Sequence, residues 1–220
     1  SRIDVGAQAT SSFFTGVALT GSTSSPTTSS QVNHISIENN TIVGGYYGVT
    51  AYGTSGSEPK GNRIVNNIIE DVYYYSIYFA YQDSLVVDGN DISRPTKTTV
   101  STMYALYATT GNKNLRVNAN RIHNSHGAAT SLTGAVYAIY VSSDATAGNE
   151  NYFTNNLVYD INSNGTIYAV YDLGADGANY LNNTIVLDDN NSSSGTIRGF
   201  YQSSASSNSS FINNIISINR

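Results

Sequence analysis

A four-residue unit ending in an aliphatic side chain recurs seven times, always with asparagine at its second place: Asn39-Asn40-Thr41-Ile42, Asn66-Asn67-Ile68-Ile69, Gly89-Asn90-Asp91-Ile92, Ala119-Asn120-Arg121-Ile122, Asn155-Asn156-Leu157-Val158, Asn182-Asn183-Thr184-Ile185 and Asn213-Asn214-Ile215-Ile216. Three residues before that Asn stands a large apolar or aromatic residue: Ile37, Ile64, Val87, Val117, Phe153, Tyr180 and Phe211. The two apolar columns are five residues apart. An odd separation turns two side chains to opposite faces of a straight strand, so a corner must lie between them if both face one core. Asn tolerates the left-handed backbone of a tight corner, and its amide can bond the same amide in the units above and below. Asn40, Asn67, Asn90, Asn120, Asn156, Asn183 and Asn214 are therefore expected to form a structural ladder.

A second unit alternates with the first: Thr15-Gly16-Val17-Ala18, Tyr47-Gly48-Val49-Thr50, Tyr75-Ser76-Ile77-Tyr78, Tyr104-Ala105-Leu106-Tyr107, Tyr137-Ala138-Ile139-Tyr140, Tyr168-Ala169-Val170-Tyr171 and Arg198-Gly199-Phe200-Tyr201. Its second residue is never larger than Ser or Ala. The intervals from Asn40 to Asn214 average 29 residues and carry no 3.6-residue periodicity. Each interval then holds three short strands and three bends, a reading that suits a chain rich in Ser, Thr, Asn, Gly and Tyr.

With its Asn corner and Gly-Val or Ala-Ile strand, the chain resembles the right-handed parallel β-helix family, also called pectin-lyase-like, along essentially its whole length. The resemblance implies an all-β, right-handed parallel β-helix solenoid of about seven coils, with residues 1–220 as a single domain. It implies no one function, because the superfamily includes polysaccharide lyases, hydrolases, epimerases, tailspikes and adhesins. Val17 has no preceding Asn corner and the sequence stops at Arg220 shortly after Ile216, so a piece of a larger solenoid is expected.

Only 11% of residues are charged and the formal net charge is −5, so no basic surface awaits a phosphate backbone or an anionic membrane. Neither nucleic-acid binding nor membrane insertion is expected, since no apolar run approaches the ~18 residues of a span. The absence of cysteine removes disulfides and thiolate chemistry.

Four of the segments between the post-Asn apolar column and the next strand are long: 14 residues from Ile92 to Leu106, 17 from Ile122 to Ile139, 12 from Val158 to Val170 and 15 from Ile185 to Phe200. Long loops on a rigid scaffold are where function commonly sits. A lyase needs a Lys or Arg base and a carboxylate-neutralising cation, and Arg94, Lys97 and His123 come nearest. Calcium would enter only with that chemistry, and no other cofactor or metal is expected. Stacking should pair Asp91 with Arg121 and Asp71 with Arg94, leaving Lys97 as a solvated loop residue. A hydrolase needs two facing carboxylates, for which Asp188-Asp189 is a candidate. Ser125-His126-Gly127 faintly resembles the Gly-His-Gly of polygalacturonases, but the acids follow it instead of preceding it. His123 and His126, three apart in a loop, make a weak metal motif.

The tyrosines are the most distinctive feature. Tyr78, Tyr107, Tyr140, Tyr171 and Tyr201 each follow an inward apolar residue and should line one outer face as a stack. The companion column Tyr47, Tyr75, Tyr104, Tyr137 and Tyr168 is expected to point inward or occupy the bend. The stack either stabilises the solenoid by packing alone or offers a strip to a polysaccharide or another protein chain. The sequence thus favours a non-catalytic, extracellular or cell-surface segment of bacterial type, with a polysaccharide lyase as one alternative and assembly through the tyrosine face or open coil ends as another.

Overall fold

In the computed structural model, residues 1–129, 131–188 and 194–219 are described. Among them every regular element is a β-strand, and the strands form three parallel sheets that run the length of the molecule. The corner sheet has eight strands, from Arg2–Asp4 and Thr41–Val43 through Asp91–Ser93 to Ile215–Ile218. The tyrosine sheet has seven, including Tyr47–Tyr52, Tyr75–Ala80, Met103–Ala108, Val136–Val141 and Ile167–Asp172. The third sheet also has seven, from Ser36–Glu38 to Ser210–Ile212. The chain visits the three in turn, so each strand pairs with its counterpart one coil away, as Ile64 with Val87 and Leu106 with Ile139. This is the parallel β-solenoid expected from the repeat, with one strand, Arg2–Asp4, that the repeat had not marked.

The core is a set of stacked columns. Ile42, Ile69, Ile92, Ile122 and Ile185 from the corner sheet meet Val49, Ile77, Leu106 and Ile139 from the tyrosine sheet and Ile64, Val87, Val117 and Phe153 from the third. All of these are fully enclosed. Each such side chain contributes roughly 1.5–3 kcal/mol by leaving water.

The corner divides its work between two residues. The left-handed backbone belongs to the residue before the ladder Asn: Asn39, Asn66, Gly89, Ala119, Asn155, Asn182 and Asn213 all have φ between 52° and 65°. The ladder Asn itself was expected there, but it turns its amide inward instead. From Asn67 onward each Oδ1 accepts both the main-chain N–H and the side-chain N–H of the Asn one coil before, as Asn120 does from Asn90 at 3.0 and 2.9 Å. Each Nδ2 from Asn67 onward also donates to the carbonyl of the apolar residue that precedes the previous corner, as Asn120 does to Val87 at 3.0 Å. Six of the seven sites that need φ > 0 hold Asn or Gly. Ala119, at φ 52°, is the exception, and it lies exposed. Replacing Ala119 by Asn should raise the unfolding free energy by about 1 kcal/mol in denaturant melts. No gain would mean that the Ala backbone is not strained.

A second buried polar ladder, absent from the sequence reading, closes the bend between the tyrosine sheet and the third sheet. Asn62 donates to Gln82 Oε1, the Gln82 N–H to Asn112 Oδ1 and the Asn112 N–H to Ser143 Oγ, at 3.0, 3.1 and 2.7 Å. Its members differ in residue type and spacing, so no periodic pattern reveals it.

Candidate functional site

The strand Met103–Ala108 buries Ala105 and Leu106 side by side and turns both Tyr104 and Tyr107 outward. A straight strand would put residues three apart on opposite faces. The backbone bends at the small residue: Tyr104 pairs with Tyr137 and Leu106 with Ile139, whereas Ala105 falls outside the register. Crowding explains the size limit, since a Cβ on Gly48 would lie 2.5 Å from the Ser76 carbonyl and 2.9 Å from Ile69 Cγ2. The bend therefore corrects the expectation for the column Tyr47, Tyr75, Tyr104, Tyr137 and Tyr168. It lies on the outer face beside Tyr78, Tyr107, Tyr140, Tyr171 and Tyr201.

The two columns make one slab. Within the first, successive ring centroids are 5.3, 5.2, 4.8 and 5.4 Å apart with planes 6–21° from parallel. Within the second, the steps from Tyr78 to Tyr201 are 5.0, 4.8, 5.2 and 5.3 Å. Between columns the rings meet edge to face, at 5.2 Å for Tyr75 with Tyr78 and 5.1 Å for Tyr168 with Tyr171. Offset and edge-to-face pairs each add roughly 0.5–1.5 kcal/mol beyond area burial. Arg198 ends the first column with its guanidinium 4.0 Å from the Tyr201 ring and 5.8 Å from that of Tyr168.

Where successive rings stack, throughout the first column and from Tyr140 to Tyr171 in the second, their faces are covered and edges and hydroxyls are left to solvent. The hydroxyls of Tyr75, Tyr78, Tyr104, Tyr140 and Tyr171 have no hydrogen-bond partner among the described residues. They are also not among the buried unpartnered atoms, which are Thr50 Oγ1 and His126 Nε2. They therefore point to water. The outward residues of the strands from Tyr47–Tyr52 to Ile167–Asp172 carry no formal charge.

Burial first, and neighbouring tyrosines second, push the phenols of Tyr75, Tyr78 and Tyr104 well above the ordinary 10.0 and that of Tyr140 to about 12. A group whose folded pKa exceeds its unfolded one stabilises the fold fully below the unfolded value and loses that contribution as pH rises through the folded value. Stability should accordingly fall as pH climbs from 10 toward and past 12. In an absorbance titration the phenolate signal of these residues should appear together with loss of the β-sheet circular dichroism. Ionisation of all tyrosines near pH 10 with the fold intact would refute the packing described.

The basic candidates lie elsewhere and are held by main chain. Arg94 is fully buried and donates from Nε to Val72 O at 2.8 Å, from Nη1 to Ser101 O at 3.1 Å, and from Nη2 to Tyr73 O and Thr102 O at 2.8 and 3.2 Å. The expected ion pair with Asp71 does not form. Asp71 instead accepts from the Thr96 and Lys97 N–H groups, both at 2.9 Å, and from Thr96 Oγ1. Burial lowers the Arg94 pKa, against the pull of Tyr73 and Asp71.

Lys97 is likewise enclosed, not solvated, and donates to Ala7 O at 2.6 Å and Ala9 O at 3.1 Å. Burial, followed by the Arg94 charge, pushes its pKa down to about 8. His123 bonds Asp91 at 2.7 Å and stacks on Tyr159, while Arg121 reaches the other oxygen of Asp91 at 3.4 Å, as the stacked columns implied. His126 is buried against Ser125 Oγ, and burial pushes its pKa down to about 4. Asp188 is exposed, and Asp189 lies outside the described residues. Among the described residues no three His, Asp or Glu side chains converge as metal ligation would require.

No protein-family model, curated protein or solved structure matches this chain. The structure brings the ten tyrosines of the two columns together and separates them from Arg94, Lys97 and His123.

Proposed function

We propose that this chain is a non-catalytic β-solenoid segment of a surface or secreted bacterial protein, and that its tyrosine slab contacts polysaccharide. The observation that carries the reading is the double row of half-buried, close-packed tyrosines along an uncharged face, with the hydroxyls of Tyr75, Tyr78, Tyr104, Tyr140 and Tyr171 turned to water. Packing alone needs the rings but not an outward row of phenols, whereas hydrogen bonding to a sugar polymer uses them. Arg94 and Lys97, the groups best suited to a lyase, are occupied by carbonyls of their own chain, and His123 is paired with Asp91. These three are assigned to structure.

Co-sedimentation with a panel of insoluble polysaccharides, together with affinity electrophoresis in soluble ones, tests the reading. The wild-type chain should bind at least one member. A Tyr75→Thr/Tyr104→Thr/Tyr137→Thr variant, checked for native circular dichroism, should not. Failure to bind anywhere in the panel, or release of unsaturated product from uronic-acid polymers, would overturn the reading.

A further inference from the structure

The slab repeats once per coil. Its ring-to-ring steps of 4.8–5.4 Å follow the parallel strands and continue over six coils, from Tyr47 to Tyr201. A polymer lying along the solenoid axis would meet a pair of column tyrosines at each of the four coils from Tyr75/Tyr78 to Tyr168/Tyr171, and a single one at the Tyr47 and Tyr201 coils that flank them. That step is close to the length of one sugar residue in a fully extended β-1,4-linked chain, so the two repeats keep register over several residues. A helical or kinked polymer would lose register after one or two coils.

Two further features narrow the ligand. Sugar rings commonly stack on an exposed aromatic face, but here the rings of the first column, and Tyr140 with Tyr171 in the second, cover each other's faces, which leaves hydroxyl edges to make hydrogen bonds. The face from Tyr47 to Tyr171 also has no cation to meet a carboxylate.

Resting on the polysaccharide reading above, we infer that the slab takes a neutral, extended β-1,4-linked glycan parallel to the solenoid axis, one sugar residue per coil, held by the outward phenol hydroxyls. A second copy of this chain packed face to face is the competing occupant. It would bury the same hydroxyls without reading the length of an oligosaccharide.

Calorimetry with neutral β-1,4-linked oligosaccharides of increasing length provides the test, using the glucose, N-acetylglucosamine and mannose series and oligogalacturonate for comparison. Affinity for at least one neutral series should rise on the order of tenfold between two and six residues, as one or two additional net hydrogen bonds would give, and then level off. It should change little between low and high salt. The Tyr104→Phe/Tyr107→Phe/Tyr137→Phe/Tyr140→Phe variant keeps every ring and should melt like the wild type while losing most of that gain.

Saturation by a single sugar, salt-sensitive preference for oligogalacturonate, or full binding by the Phe variant would overturn the axial register and leave the polysaccharide reading standing. No binding of any sugar, with dimerisation that the Phe variant alters, would remove both.

Discussion

Replacing Asn120 by Ala should lower the unfolding free energy by about 3–5 kcal/mol, the cost of stranding two buried donors and losing a buried side-chain bond to a carbonyl. The main-chain and side-chain N–H groups of Asn90 lose their shared acceptor, and Val87 O loses its side-chain donor. Asn156 Oδ1 keeps the Asn120 main-chain N–H and loses the side-chain one. Water cannot replace these partners, because Asn90 and Asn120 are completely enclosed. Asn120→Asp should be no better, since its second oxygen would face Val87 O and a charge would be buried without a cation. Asn40→Ala, at the edge of the ladder, should cost about 1 kcal/mol, because Asn40 donates but accepts from no neighbour in the column. Equal costs at Asn40 and Asn120 in denaturant melts would rule out a ladder held by buried hydrogen bonds.

Arg94→Met should cost on the order of 3 kcal/mol, because four carbonyls, that of Val72 buried and those of Tyr73, Ser101 and Thr102 partly buried, then lack the fork of donors that links them. Losing the buried charge offsets part of this, so the figure stays below the sum of four bonds. Arg94→Lys should recover little of it: one ammonium cannot span carbonyls that the planar guanidinium reaches from three nitrogens. Hydrogen exchange should show residues 95–102 losing protection in both variants. A fully stable Arg94→Met would mean that Asp71 and the contacts with Ala7, Gln8 and Ala9 suffice to hold the loop.

The columns Ile42 to Ile216 and Ile37 to Phe211 were legible because each coil repeats one solution to one packing problem. The structure keeps both as stacked ladders. What a column reading misses is any departure from strict alternation within a coil. The outward turn of Tyr104 comes from a bend at Ala105, and its only trace is that this position never exceeds Ser or Ala. Assigning the left-handed corner to Asn120 instead of Ala119 failed for a related reason. One Asn both tolerates φ > 0 and donates an amide, and the two roles fall on adjacent residues. Arg94 and Lys97 were misplaced because column reading supplies neighbours one coil away, whereas their loop folds back across several.

That loop changes how the molecule should come apart. A solenoid whose units touch only their neighbours behaves like a one-dimensional chain, fraying from either end in small steps. Here Lys97 grips Ala7 and Ala9, Gln8 grips Thr96 and Thr98, and Arg94 holds the loop to Val72 and Tyr73. The segment before the first Asn corner is thus tied directly to the loop after the third, across the coils between them. Opening at the amino-terminal side must release several turns at once, so unzipping by single turns is left to the carboxy-terminal side.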